Sequence, residues 1–91
     1  MNDAKQAPSM HQKIFEMGFS TETTSVYLLC CGLADAGSTL SAKNLLTVWN
    51  ASPKALETGL QELEAHGVVV RILSDGDKHR IYKLTNIENW K

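Results

Sequence analysis

The stretch "SPKALETGLQELEAHGVVVRI", Ser52 to Ile72, decides how the chain is read. Ser52 is a strong N-cap residue, and Pro53 falls at the first helical position, where its missing N–H costs nothing. Leu56, Leu60 and Leu63 then recur at helical spacing and form one apolar stripe. Lys54, Glu57, Thr58 and Gln61 fall together on the opposite face. Gly67 suits the left-handed position just past a helix end. "VVVRILS" is β-branched and reads as a strand. "DGDK" is a turn, and "HRIYKLT" alternates back as the second strand, with Tyr82 and Leu84 toward the core. The stretch is therefore a capped helix over 53–66, a glycine stop and a β-hairpin.

Working outward, Ser41 caps a shorter helix, "AKNLLTVWN", whose Leu45, Val48 and Trp49 face the core. "STLS" before it can form a short extended piece. A further helix starts near Thr21 and Glu22, with Val26, Leu29, Cys30 and Leu33 as its core stripe, and closes at Gly37. Ser9 can cap a short N-terminal helix, "MHQKIFEMGF", with Met10, Ile14 and Met17 on one face and Phe15 beside them. That face needs a partner, either the rest of the chain or a second copy. The expected organisation is an arm over residues 1–20 and one domain over 21–91. Trp90 is read as an interface residue, because a small core offers little room for a terminal aromatic. The expected fold class is α+β, mostly α.

Composition narrows the function classes. Ninety-one residues with 43% apolar content support one small core. No apolar run reaches the roughly 18–20 residues of a membrane span, and the start offers no apolar stretch for a signal peptide, so the expected compartment is the cytoplasm. Cys30 and Cys31 are adjacent, which suits two small apolar side chains better than a disulfide framework. Three scattered histidines give no zinc spacing. No nucleophile with a base, no paired carboxylates and no cofactor motif stand at a catalytic spacing, so neither an enzyme nor a cofactor is expected. A net charge of −1 argues against a non-specific nucleic-acid binder, which is usually strongly basic.

From about Glu22 to Thr85, two-thirds of the chain, the sequence resembles winged helix-turn-helix domains, most closely the MarR-like regulators. The features are "TLSAKNLLTVWNASPKALETGLQELEAHG", then Leu60, Leu63, Glu64, Gly67 and Arg71 in "LxxLExxG" followed by "VVVR", then the charged tip in "SDGDKHRIYKLT". The chain departs from that family in its wing. Asp77 precedes Arg80 by three residues rather than one or two, and seven residues follow Leu84 where the family has a long dimerisation helix. The resemblance implies a three-helix core with a C-terminal β-hairpin wing, plus the extra N-terminal helix, and double-stranded DNA as partner.

In such a domain the third core helix enters the major groove while the wing meets backbone. The groove candidates are Ser52, Lys54, Thr58 and Gln61. Gln61 can pair with adenine, Lys54 with guanine or phosphate, and Thr58 with a thymine methyl. Between Val68 and Leu84 four basic residues, Arg71, Lys78, Arg80 and Lys83, stand against two acidic ones, a net +2 with His79 beside them. The helix from Pro53 to His66 has Lys54 against Glu57, Glu62 and Glu64, a net −2. Arg71, Lys78, His79, Arg80, Lys83 and, on the preceding helix, Lys43 are thus phosphate candidates. The bland alternative is a solvated helix face and a hairpin edge decorated with charge. The leading expectation is a prokaryotic or phage transcriptional regulator that binds DNA sequence-specifically as a homodimer. The rival is a winged helix used for protein–protein contact, with Met10, Ile14, Phe15 and Met17 as the docking surface and the hairpin adding to a partner's sheet; a dimer would use that N-terminal face, Trp90, or both.

Overall fold

The structure, a computed structural model, describes residues 10–73 and 80–91. Its described elements run from a 3-10 turn, Gln12–Glu16, through α1 (Thr21–Asp35), α2 (Ala42–Val48) and α3 (Pro53–Ala65). The strands β1 (Val69–Leu73) and β2 (Ile81–Leu84) follow, then a second 3-10 turn, Ile87–Asn89. Three helices precede a two-stranded antiparallel hairpin, a mostly helical α+β layout of winged-helix type. Among the described residues no helix is long and apolar enough to cross a membrane.

Each main helix begins on the hydroxyl of a serine. Ser20 Oγ accepts from Thr23 N, Ser41 Oγ from Asn44 N, and Ser52 Oγ from Ala55 N. α1 and α3 end in the same closure. Gly37 and Gly67 take φ of 76° and 75°, and the next residue's N–H reaches back to Leu33 O and Leu63 O respectively.

The core lies where α1 crosses α3 and the base of the hairpin closes over them. Val26, Tyr27, Cys30, Leu45, Leu56, Leu60, Leu63, Val68 and Val69 are fully buried. Gly59 marks the α1–α3 crossing, because a Cβ there would stand 2.8 Å from Val26 Cγ2. The "STLS" piece joins the hairpin by a single bridge, Ser41 to Ile81. Tyr82 N donates to Leu40 O and Ala42 N to Arg80 O, which fastens β2 to the start of α2.

Several expectations change. The N-terminal segment is a single 3-10 turn capped by His11 rather than an α-helix from Ser9, which lies outside the described residues. So short a turn sends only Ile14 fully inward, leaves Met10 and Met17 half-buried, and exposes Phe15. The domain itself covers Ile14, which is therefore no docking residue. Trp90 is also corrected. It is buried edge-on against Tyr27 and His11, because the Ile87–Asn89 turn folds the tail back onto the core. Val48 is exposed, since α2 ends there. Trp49 leaves the helix with an extended backbone, and its indole Nε1 donates to Ser52 O at 2.8 Å. Cys30 and Cys31 are buried free thiols. Burial, then the neighbouring Cys31, pushes the Cys30 thiol up to about 12.

Candidate nucleic-acid interface

The N-terminus of α3 is set by the turn between α2 and α3. The Trp49 indole holds the Ser52 carbonyl while the Ser52 hydroxyl caps the helix as an acceptor, so both oxygens of Ser52 are engaged before any partner arrives. Leu56, Gly59, Leu60 and Leu63 then seat α3 on the core. The opposite face carries Lys54, Thr58 and Gln61, all exposed, with exposed Ala65 in line. Three of the sequence-predicted residues are thus brought together on one solvent-facing strip.

The glutamates of α3 lie on its flanks. On the side toward α1, Glu62 accepts from the Thr23 hydroxyl. On the side toward the hairpin, Glu57 takes a bidentate pair from Arg80, with Nη1 to Oε1 at 2.9 Å and Nη2 to Oε2. Glu64 pairs with Arg71 at 3.0 Å. Arg80 Nη1 also donates to the Tyr82 hydroxyl at 3.1 Å, and the Arg71 guanidinium lies 5.9 Å from the Tyr82 ring centroid. The hydrogen bonds from Arg80 hold the Glu57 carboxyl below the usual carboxylate range, against the opposing effect of partial burial. Burial raises the Tyr82 phenol, and Arg80 and Arg71 oppose that rise.

This geometry redistributes the expected wing contacts. Arg80 does not stand free in solvent, for its side chain is 11% exposed and bonded to Glu57 and Tyr82. Arg71 is tied to Glu64, though at 36% exposure it borders solvent. The two arginines therefore cancel carboxylates of α3 rather than build a separate basic surface. Lys83 pairs across the ladder with Val70, while Arg71 pairs with Tyr82. Directly paired residues share a face, so Lys83 projects from the side of the hairpin away from Arg71. There it lines a shallow cleft of about 250 Å³ with Val70, Leu84 and Asn86. Lys43 is exposed in the first turn of α2. Lys78 and His79 lie outside the described residues.

The sequence reading missed the three partners of the α3 carboxylates. One signal was available for Arg80. Strand alternation put it on the same side as core-facing Tyr82, and an inward guanidinium needs an anion. Among the described residues no group of three His, Cys, Asp or Glu side chains is placed to hold a metal ion. Comparison with family models, curated proteins and solved structures gives no match to this chain.

Proposed function

We propose that this chain is a sequence-specific double-stranded DNA-binding protein of the winged-helix kind, a transcriptional regulator that presents α3 to the major groove. One observation carries the reading. Glu57, Glu62 and Glu64 are all turned to the flanks of α3 and bound there by Arg80, Thr23 and Arg71, so the exposed strip of Lys54, Thr58 and Gln61 contains no acid. The strip supplies one cation for guanine or phosphate, one amide suited to adenine and one methyl-bearing hydroxyl. Lys43 adds a phosphate contact from α2. The proposal includes a two-fold dimer on an inverted repeat.

The test is selection of bound duplexes from a random pool, followed by fluorescence anisotropy across a salt series. Lys43 and Lys54 together contribute a log–log slope of about −2 per bound copy, at ~0.9 per phosphate. Lys54→Ala weakens binding; a loss shared by all duplexes marks a phosphate contact, and a loss confined to one base pair marks guanine. Gln61→Ala relaxes selectivity at one base pair by about 1–3 kcal/mol. A micromolar-or-weaker response that does not distinguish sequences overturns the proposal.

A second reading rests on β1. That strand has β2 on one side and, among the described residues, no strand on the other, and it exposes Val70, Ile72 and Leu73. An open apolar edge is where a partner's strand adds. Co-purification with a fixed protein partner, together with DNA-insensitive amide shifts over residues 54–61, would favour this reading.

A further inference from the structure

Arg80 is the most deeply placed cation of the described hairpin, and its position suits a role other than touching DNA. Both terminal guanidinium nitrogens are bonded to Glu57, and one also reaches Tyr82. Its carbonyl is fastened to Ala42 N at 3.0 Å, so the backbone has little freedom to swing the side chain outward. A phosphate taking the N–H groups bonded to Glu57 would have to displace that carboxylate, which would leave it beside the incoming anion.

Glu57 stands at the rim of the exposed strip, three residues after Lys54 and four before Gln61, the spacings at which helix side chains meet. Its side chain is 40% exposed even while bonded. Released from Arg80, it would lie within reach of Lys54 and turn a negative charge toward the groove face. We propose that Arg80 is a positioning residue for DNA recognition. It holds Glu57 against the base of the hairpin and keeps the reading face of α3 free of negative charge, and it makes no phosphate contact of its own. The inference rests on the DNA-binding reading above.

The arginine that sequence reasoning assigns to phosphate thus acts through a carboxylate, and the two roles separate in a double-mutant cycle. Binding is measured by anisotropy, against the duplex selected by the unmodified protein, for that protein and for Arg80→Ala, Glu57→Gln and the double variant. Arg80→Ala binds on the order of tenfold more weakly, the repulsion of two unit charges ~6 Å apart at an effective dielectric of ~40. The double variant Glu57→Gln/Arg80→Ala returns to within about twofold of the unmodified protein and keeps its salt slope, because no phosphate contact has been lost. A double variant as weak as Arg80→Ala, with the slope reduced by about 0.9, overturns the inference and makes Arg80 a direct phosphate ligand. Where Arg80→Ala does not fold, Glu57→Leu/Arg80→Met decides alone, since apolar replacement of a partly buried ion pair is generally tolerated. Unchanged affinity and slope support masking, and a loss of both refutes it. If the unmodified protein enriches no duplex, the DNA-binding reading falls and this inference with it. That outcome appears before any variant is made, and so is distinct from failure of the cycle.

Discussion

Gly37 and Gly67 offer a matched pair for weighing the C-terminal tail. Both close a helix in the same motif with nearly the same φ, 76° and 75°. They differ in surroundings. A Cβ on Gly37 meets nothing within 4 Å, whereas one on Gly67 would lie 2.2 Å from Asn89 O, a backbone atom. Alanine at either site carries the left-handed penalty of about 1–2 kcal/mol, offset by up to ~1 kcal/mol from a less flexible unfolded chain. Gly37→Ala should therefore cost about 1 kcal/mol, within a range of ~0–2 kcal/mol. At Gly67 the Ile87–Asn89 turn must also move. That turn seats Trp90 5.5 Å from the Tyr27 ring, and the tail is tied by Lys91 N to His66 O at 2.7 Å. Forcing atoms into a packed site adds ~1–3 kcal/mol. The ceiling is complete release of Trp90, ~3–5 kcal/mol for a buried Trp. Gly67→Ala should thus cost about 2–4 kcal/mol, a large part of the ~5–14 kcal/mol expected of a domain this size. Urea unfolding followed by circular dichroism gives the difference. In a Trp49→Phe background the emission of Trp90 reports whether the tail has lifted, and it should shift red only in Gly67→Ala. Equal losses for the two alanine variants, or an unchanged Trp90 emission in Gly67→Ala, would refute the reasoning.

Two further outcomes follow from the titrating groups. Cys30 and Cys31 should resist a thiol reagent at pH 8 in the folded protein and react fully in urea, since burial raises both thiols; rapid stoichiometric labelling of the native state would contradict their placement. The Glu57 carboxyl is lower in the folded state than its ordinary value of about 4.3, so its contribution to stability is complete above that value and is lost as pH falls through the lowered folded value. Urea midpoints should therefore fall less steeply between pH 5 and 3, a window of about two units around that value, in Glu57→Gln than in the unmodified protein, and parallel profiles would count against the Arg80 pairing.

The parts of the fold legible in the sequence were those governed by near neighbours. Ser41 and Ser52 cap because their hydroxyls lie within three residues of the amides they take. Gly67 takes positive φ because the chain must reverse there. Leu56, Leu60 and Leu63 are buried because one helical stripe can face only one core. Strand parity likewise assigned Tyr82 inward and Lys83 outward. The site was less legible because its decisive contacts span the chain. Arg80 and Glu57 are 23 residues apart, and Thr23 and Glu62 are 39 apart. Residue type says that an arginine will find an anion, but not whether that anion is a phosphate or a glutamate on the next element. Trp90 was misassigned for a related reason. The turn at Ile87–Asn89 contains no glycine or proline, so nothing local announced that the tail would double back over Tyr27.

Counting charges by segment suggested an acidic helix beside a basic hairpin. In the structure the two sets meet, and the contacts sit at hydrogen-bond distance, well inside the ~8 Å over which salt screens charge at physiological ionic strength. At that separation the two ion pairs present to an approaching polyanion only small dipoles, which leaves Lys54 on the strip and the hydroxyl-bonded Glu62 on the α1 flank as the uncancelled charges of α3. The three glutamates then have a mechanical meaning. Through Thr23, Arg71 and Arg80 they tie α3 to α1 on one flank and to β1 and the residue just before β2 on the other. Acid on the flanks and none on the crest is the arrangement that the proposed DNA reading requires. Moving one of those carboxylates to the crest, for instance by Thr58→Glu, would test that geometry directly, since it leaves all three ties intact and changes only the face that DNA would meet.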